Sequence, residues 1–152
     1  MPEFFHDYLK TPIGLLAVTA TDQFVVAVDF TTRRQNNLAN DITKQAVREL
    51  EEYFTQQRKV FSVPIFCTGT AWQNKVWQKL LAVPYGAVIS YQDLAEAVGK
   101  PKAARAVGQA VNKNPIAIIV PCHRVLGSRG DLVGYAQGLK KKKQLLIIEG
   151  LK

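Results

Sequence analysis

The chain has 152 residues, 47% of them hydrophobic, and its 20 Lys and Arg against 12 Asp and Glu give a net charge of +8. This length suffices for one domain or two small ones, and no run of residues approaches the roughly 20 apolar residues that a membrane span requires. Two cysteines without a Cys-x-x-Cys motif or a histidine cluster argue against a disulfide framework and a structural zinc site. Residues 1–4 lack the start of a secretory signal, so we expect a protein of the reducing cytoplasm.

The basic excess is confined to the last third of the chain. Residues 1–98 hold 9 Lys and Arg and 10 Asp and Glu, a net charge of −1, whereas residues 99–152 hold 11 and 2, a net charge of +9. A one-sided positive field of this kind suits a polyanion such as DNA or RNA. A solubilising face is the alternative, and the four lysines at 140–143 would serve as one. The clustering favours a nucleic acid as partner.

The first third of the chain predicts a small β-sheet followed by one helix. Strand-like composition between turn residues predicts strands over residues 4–10, 15–20 and 24–30. Apolar residues at helical spacing then predict a helix over residues 38–57. We expect these elements to form an N-terminal α/β domain over residues 1–68, with an antiparallel sheet and an extended connector at its end.

Residues 69–152 are predicted to form a second, mainly helical domain, which makes the fold class α+β. One helix is expected over residues 71–81. Another should start after Ser90, which opens a Ser-x-x-Asp pattern related to the capping box. Pro101 suits the first turn of a third helix that ends near Asn112. The last two helices are short and closely spaced, so they predict a helix-turn-helix.

The predicted third helix has unusual contents. Arg105 is its one long central side chain, among the small residues Ala103, Ala104, Ala106 and Gly108. A helix that reads base edges in the major groove usually carries several polar side chains. Small side chains instead let a helix backbone approach a minor groove closely, with Arg105 as a probe into the base stack. Tight packing of the alanines on a neighbouring helix is the alternative, which we expect only for the inner face.

The segment around Cys122 is the clearest indication of chemistry. Residues 116–120 form an apolar run that predicts a buried strand, and Pro121 carries Cys122 out of it. His123 supplies a base and Arg124 a nearby positive charge, surroundings that favour the thiolate form of cysteine. In the alternative interpretation the cysteine is a small buried hydrophobe and His123 points to the opposite face of the strand.

Several separated segments also carry sequence motifs, and these occupy residues 88–95, 101–108, 114–115, 121–125, 134–136 and 145–150. Together, and in this order, they resemble the O6-alkylguanine-DNA alkyltransferases, also called methylated-DNA–protein-cysteine methyltransferases. The resemblance is strong from about residue 69 to residue 150 and weak in the first third. It implies repair of alkylated DNA by direct transfer of the alkyl group to the protein.

The resemblance implies a catalytic role for four residues around the thiol. Cys122 would be the nucleophile and permanent alkyl acceptor. His123 would take the thiol proton through a water, while Glu149 would orient the imidazole and stabilise its charged form. Asn114 would hydrogen-bond near the thiol, and Arg124 would buttress the site rather than touch substrate.

The resemblance also implies how the protein handles double-stranded DNA that contains O6-alkylguanine, with O4-alkylthymine as a further possible substrate. The lesion nucleotide must be flipped out of the duplex before its alkyl carbon can meet a protein thiolate. Arg105 would fill the gap in the stack, and Tyr91 would help to rotate the nucleotide and offer a proton to the guanine ring. The flanking small residues of the helix would contact the minor groove. The lesion pocket would be lined by Val133, Gly134, Tyr135, Ala136 and Gln137.

A thioether has no good leaving group, so the resemblance implies a single turnover per molecule by a monomer that needs no metal and no organic cofactor. Three departures from the family pattern stand out. Gln137 occupies a position where glycine is expected, and we expect its side chain to narrow the pocket against bulky free-base inhibitors. Ala136 replaces a possible hydroxyl donor. The N-terminal part lacks the Cys and His set that some members use for zinc, which leaves Cys67 without an expected role.

Three other functions compete with alkyl transfer. An alkyltransferase-like lesion sensor would carry a different residue in place of Cys122. A helix-turn-helix transcription regulator would need neither the thiol nor His123 and should carry more base-reading side chains. A thiol hydrolase would use the same pair, but the basic surface and the absence of a substrate-specific signal count against it.

Overall fold

A computed structural model describes residues 3–35 and 37–151 of the chain. Met1 and Pro2, at the start of the predicted N-terminal domain, and Lys152 at the end of the second lie outside the described residues. The chain divides into two compact units, Met1–Thr68 and Gly69–Lys152. Within the described ranges, every helix falls short of the length and apolar character that crossing a membrane demands.

The N-terminal unit is an antiparallel sheet with one helix, as predicted. Its strands are β1 (Phe5–Thr11), β2 (Gly14–Ala20) and β3 (Val25–Thr31), in the order β1-β2-β3, and its helix is α1 (Asp41–Phe54). One face of the sheet and one face of the helix share an apolar core, because every second strand residue points to the same side. The core side chains include Leu16, Val18, Val28, Ala46, Leu50 and Tyr53, all at most 1% exposed.

Helix α1 begins three residues later than predicted. Asn40 is its N-cap, because its side chain accepts a hydrogen bond from the backbone N of Thr43 at 2.9 Å and the Thr43 hydroxyl accepts from the N of Asn40 in return. This reciprocal capping box satisfies backbone donors that a helix end leaves open. Leu38 is instead held in an antiparallel bridge with His6, at the edge of β1. The predicted start at residue 38 was therefore wrong.

A buried carboxylate ties the connector to α1. The side chain of Glu49 is fully buried and accepts hydrogen bonds from the backbone N of Ser62 at 2.8 Å and of Val63 at 3.1 Å. The Ser62 hydroxyl and the Gln45 side-chain amide each donate to its other oxygen at 2.8 Å. Burial by itself raises the pKa of Glu49, but these hydrogen bonds outweigh it and hold the pKa below the ordinary value.

The C-terminal unit is mainly helical. Its elements in chain order are α2 (Ala71–Leu81), β4 (Ile89–Ser90), α3 (Tyr91–Ala97), α4 (Ala104–Asn112), a 3-10 turn (Cys122–Arg124), β5 (Val125–Leu126) and α5 (Leu139–Ile148). Helix α2 has the predicted bounds, and the indole N–H of Trp77 ties it to α4 by donating to the carbonyl of Ala110 at 2.9 Å. Strands β4 and β5 pair in parallel, which sets the Cys122 segment beside the start of α3.

The predicted helix-turn-helix segment differs from expectation at the second helix. Ser90 caps α3 as predicted, by accepting from the backbone N of Asp93 at 2.9 Å. Pro101, expected in the first turn of the next helix, lies outside α4. Its carbonyl accepts from the Gln92 side chain at 2.7 Å, so it is already engaged in the turn that precedes the helix. Helix α4 therefore begins at Ala104.

The apolar run 116–120 is not the predicted strand. It forms a buried tight turn in which the backbone N of Val120 donates to the carbonyl of Ile116 at 3.0 Å. Ile118 adopts a left-handed backbone with φ of 73°. A β-branched residue in this region carries strain of about 1–3 kcal/mol and keeps it only where packing enforces it. Every residue of the run is at most 7% exposed, which supplies that packing.

The last segment that carries the resemblance, residues 145–150, lies at the end of a helix that starts earlier. Helix α5 spans Leu139–Ile148, and Glu149 is its C-cap. Gly150 then follows with φ of 91°, a left-handed conformation that suits the residue after a helix end. The run of lysines at 140–143 is therefore part of this helix.

We predict that Glu49→Gln lowers the free energy of unfolding by about 1–3 kcal/mol, because an amide cannot accept all the hydrogen bonds made to the buried carboxylate. Since the folded state lowers the pKa of Glu49, its contribution is present near neutral pH and is lost as the pH falls below the ordinary value. Urea unfolding at pH 7 and at pH 3.5 measures both effects. The exposed Glu51→Gln is the matched control, and an equal loss for the two variants would refute the anchor.

Candidate active site

Cys122 lies at the start of the 3-10 turn, 6% exposed, with its sulfur close to a polar side chain. Asn114 Nδ2 donates to Cys122 Sγ at 3.1 Å and to the carbonyl of Val120 at 2.8 Å, while its Oδ1 accepts from the backbone N of Ile116 at 2.9 Å. Asn114 thus spans the tight turn and reaches the thiol. The strained backbone at Ile118 is what brings both ends of the run under this one side chain.

Glu149, the C-cap of α5, holds the ring of His123 by a hydrogen bond. Glu149 Oε2 accepts from His123 Nε2 at 2.6 Å, and both side chains are fully buried. A carboxylate can only accept, so Nε2 carries the proton and Nδ1 of the neutral ring has a free lone pair. Nδ1 is buried and has no hydrogen-bond partner among residues 3–35 and 37–151. Burial lowers the pKa of His123, whereas the hydrogen bond and charge of Glu149 raise it.

Arg124 does not lie where its position in the sequence suggested. Its Nε and Nη2 donate to Glu149 at 2.8 and 3.0 Å, and its Nη1 donates to the carbonyl of Val83 at 2.7 Å. The backbone N of Gly86 donates to the same carboxylate at 3.2 Å. The guanidinium therefore neutralises Glu149 and is not the cation that faces Cys122, so the expected effect of Arg124 on the thiol was wrong.

The thiol is protonated in the resting protein. Burial raises the pKa of Cys122 from 9.0 to about 11, against the lowering effects of Asn114, Lys142 and the backbone N–H groups of Cys122 and His123. The expectation that the surroundings favour thiolate was therefore wrong, because desolvation exceeds the sum of the local donors. Ionisation of this thiol requires a base that takes its proton during the reaction.

Lys142 is the buried cation that faces the thiol. Burial lowers the pKa of Lys142 to about 8, and a negative charge on Cys122 raises it. Its Nζ donates to the carbonyls of Val133 at 2.9 Å and Gly134 at 3.0 Å. Tyr91 donates its hydroxyl to the same Val133 carbonyl at 3.0 Å. Two donors thus fix the loop that sequence analysis assigned to the lesion pocket.

Lys142 was missed because residues 140–143 were considered only as part of a basic surface, either for nucleic-acid binding or, in the alternative, for solubility. Helical spacing carries the missing signal. Lys142, Leu145 and Glu149 lie at positions i, i+3 and i+7, which share one face of a helix. Leu145 is fully buried and Glu149 is 5% exposed, so this is the face of α5 that points inward.

The structure relates two tyrosines of the predicted site, Tyr91 and Tyr135, to the charge of Cys122. Burial and the charge of Cys122 raise the pKa of both Tyr91 and Tyr135, so both phenols lie close enough to the thiol for its charge to act on them. The Tyr135 hydroxyl is buried without a hydrogen-bond partner within the described residues. Gly134 has φ of 67°, and a Cβ there would lie 3.1 Å from the Tyr91 hydroxyl. Val133, Gly134 and Ala136 are exposed, and Gln137 is half-buried.

The structure places the predicted DNA-contacting residues on α4 and its cap, Ala103. Arg105 is exposed, and Ala103, Ala104, Ala106 and Gly108 are partly exposed. Gly108 lies against Tyr91, since a Cβ at Gly108 would contact the phenol ring at 3.6 Å. Helices α3 and α4 are thereby packed closely where Tyr91 begins α3. Arg105 makes no side-chain hydrogen bond or ion pair within the described ranges.

A metal site is not seen in the part of the chain that the structure describes, where no three His, Cys, Asp or Glu side chains cluster suitably. Cys67 is half-buried in the N-terminal unit, and burial raises the pKa of its thiol.

We predict that Lys142→Met slows alkylation of Cys122 by roughly tenfold at pH 7, since one unit in the pKa of the thiol corresponds to that factor. Because the pKa of Lys142 is about 8, the lysine loses its charge as the pH rises through this value, and the ratio of wild-type to variant rate should shrink there. Single-turnover rates from pH 6.5 to 9 measure this ratio. The exposed Lys143→Met serves as control, and a ratio that stays constant with pH would contradict the electrostatic role.

Two family models match the chain. One, described as 6-O-methylguanine DNA methyltransferase, ribonuclease-like domain, matches residues 4–66. The other, described as 6-O-methylguanine DNA methyltransferase, DNA binding domain, matches residues 71–151. Together they account for most of the chain.

Curated relatives and solved structures agree with these matches. The methylated-DNA–protein-cysteine methyltransferase of Methanosarcina barkeri is 39% identical over 152 residues, which cover 95% of this chain and 96% of the relative. The constitutive enzyme of that name from Bacillus subtilis is 39% identical over 94% of this chain and 93% of its own.

The crystal structure of Mycobacterium tuberculosis O6-methylguanine methyltransferase superposes with a TM-score of 0.88 at 36% identity, covering 97% of this chain and 93% of that one. A structure of the Mycobacterium tuberculosis protein in complex with DNA has a TM-score of 0.85 at 38% identity, covering 96% and 91%. With both parts of its length matched by these models and by near full-length relatives, the chain belongs to the 6-O-methylguanine DNA methyltransferase family.

Proposed function

We propose that this protein repairs DNA by transferring the alkyl group of O6-alkylguanine irreversibly to Cys122. The observation that carries the proposal is the arrangement of a buried thiol beside a neutral histidine. Asn114 holds the sulfur, Glu149 holds His123, and the Nδ1 lone pair of His123 has no partner among the described residues. Family membership supports the substrate class.

The proton of the thiol leaves through His123. At neutral pH the lowered pKa of His123 keeps the imidazole uncharged, so Nδ1 can accept the Cys122 proton through a water molecule. The imidazolium that forms is stabilised by the Glu149 carboxylate at 2.6 Å. The thiolate is stabilised by the Asn114 amide and by the charge of Lys142.

The transfer itself is a displacement at a saturated carbon. Sγ of Cys122 forms a bond to the alkyl carbon as the bond between this carbon and O6 breaks, and the electron pair remains on the guanine. The Tyr91 hydroxyl donates a proton to the guanine ring, and the tyrosinate regains a proton from the imidazolium by way of solvent. In the resting protein this hydroxyl is bound to the Val133 carbonyl, so the lesion base has to exchange that hydrogen bond for its own.

The DNA is engaged through α3 and α4. The small residues of α4 let its backbone approach the minor groove, and Arg105 enters the stack in place of the flipped nucleotide. Tyr91 lies against Gly108 of the same helix, so the residue that rotates the nucleotide is set directly beside the DNA-contacting face. The net charge of +9 over residues 99–152 attracts the phosphate backbone. The protein acts as a monomer in the cytoplasm.

Each molecule reacts once, because the thioether on Cys122 lacks a leaving group that any described neighbour could displace. Intact-mass analysis after mixing with excess DNA containing O6-methylguanine should show one added methyl group, mapped by peptide analysis to Cys122. Cys122→Ala should bind the same DNA without gaining mass, and Cys67→Ala should behave as wild type. More than one DNA repaired per protein, or a methyl group on another residue, would overturn the proposal.

We predict that Arg105→Ala slows repair of duplex DNA by roughly a hundredfold, since unstacking a base costs a few kcal/mol that this side chain offsets. Reaction with free O6-methylguanine should change little, because no duplex has to open. The measurement compares the repair rate at saturating duplex DNA with the rate of reaction with the free base, for the wild type and the variant. The control is Lys102→Ala, which removes an exposed cation just before α4 and should weaken DNA binding without changing the rate at saturating DNA. If Arg105→Ala loses rate equally on both substrates, Arg105 does not assist flipping.

A further inference from the structure

The turn formed by residues 83–86, between α2 and β4, contacts the end of α5. Tyr85 donates its hydroxyl to the carbonyl of Ile148 at 3.1 Å. The backbone N of Gly86 donates to Glu149 Oε1 at 3.2 Å. The carbonyls of the last helical turn lack partners within the helix, so a hydroxyl placed there satisfies one of them. The turn therefore fixes both the peptide that precedes Glu149 and the carboxylate itself.

The ring of Tyr85 is held as well as its hydroxyl. The Arg124 guanidinium lies over the ring, 5.9 Å from its centroid, while donating to Glu149 and to the carbonyl of Val83. Tyr85 is half-buried, and burial together with the charge of Glu149 raises the pKa of its phenol. The phenol thus stays protonated near neutral pH and keeps its donor.

We infer that Tyr85 is a positioning residue for alkyl transfer, whose hydroxyl fixes the end of α5 so that Glu149 holds His123 in the tautomer that accepts the thiol proton. The inference rests on the proposed function, because it assigns a role in the same reaction. Tyr85 donates its hydroxyl to the end of α5, so it acts through Glu149. The turn that carries it leads into β4 and α3, so one short segment connects the DNA-contacting helices with the catalytic carboxylate.

Tyr85→Phe tests this, because it removes the hydroxyl and keeps the ring beneath Arg124. We expect transfer from O6-methylguanine DNA and from free O6-methylguanine to slow alike by roughly tenfold, the scale expected for a sub-ångström displacement of a positioned group. A displaced Glu149 raises the pKa of His123 less, so the acid limb of the pH–rate profile should move to lower pH. Arg124 and Lys142, which also face His123 and lower its pKa, are unchanged in the variant. Tyr8→Phe, which removes a hydroxyl that accepts from Gln35 in the N-terminal unit, is the matched control.

A second comparison separates positioning from stability alone. In a Glu149→Gln background, Tyr85→Phe should cause no further loss of rate if it acts through the carboxylate, whereas additive losses would overturn the inference. An unchanged saturated rate and pH profile in Tyr85→Phe would overturn it too, whatever the change in Tm. Titration of the His123 ring by NMR measures the pKa of His123 and needs no DNA, so it tests the positioning role by itself. A lower pKa of His123 in Tyr85→Phe would support this role, and an unchanged pKa would overturn it. Wild-type protein that formed no adduct would refute the proposed function and leave this test in place.

Discussion

The C-terminal unit depends on one buried negative charge, the carboxylate of Glu149. A fully buried carboxylate costs several kcal/mol unless charged and polar partners surround it. Here the partners come from two separate segments, with Gly86 in the turn after α2 and His123 and Arg124 in the 3-10 turn. Because each of these donors loses its partner if Glu149 moves, the two segments and the end of α5 are fixed relative to one another. The same charge that holds them together also sets which nitrogen of His123 carries a proton.

The two buried cations near the thiol have separate electrostatic tasks. Arg124 forms a paired hydrogen bond with Glu149, whereas Lys142 faces Cys122 and the carbonyls of the pocket loop. A planar guanidinium suits a carboxylate that needs a fixed geometry, and a compact ammonium on a flexible stem suits a charge that develops on sulfur. Burial keeps the thiol protonated at rest even though the charge of Lys142 lowers its pKa.

The sequence predicted much of the architecture because local patterns and tertiary packing agree there. Strand β2 alternates between buried and partly exposed residues, α2 has strong capping residues, and the Ser90 cap was recognisable. The Cys122, His123 and Glu149 cluster was predicted from resemblance, since residues 27 positions apart in the chain give no local sign of contact.

Elsewhere the pattern was ambiguous, and packing decided. An all-apolar run such as 116–120 has no periodic alternation of apolar and polar residues, so its sequence cannot distinguish a buried strand from a buried turn. Pro101 fits both a helix start and the turn before it, and the Gln92 side chain selects the turn. Lys142 was hidden among identical neighbours. The position of Arg124 two residues after Cys122 in the sequence suggested an effect on the thiol, besides the supporting role that the resemblance implied, whereas its side chain contacts Glu149. Sequence order is a poor guide to which charges meet in a buried site.

The left-handed backbone of Ile118 has a consequence for how the free protein meets reactive chemicals. The segment is closed by its packing and by the Asn114 side chain, which also binds Sγ, and Cys122 is only 6% exposed, so a reagent in solution has little access to the sulfur while this turn is packed. The rate at which a small reagent such as iodoacetamide modifies Cys122 in the free protein therefore reports the accessibility of the sulfur as well as its intrinsic nucleophilicity. A packed and strained turn beside a thiol thus limits the contact between that thiol and electrophiles in solution.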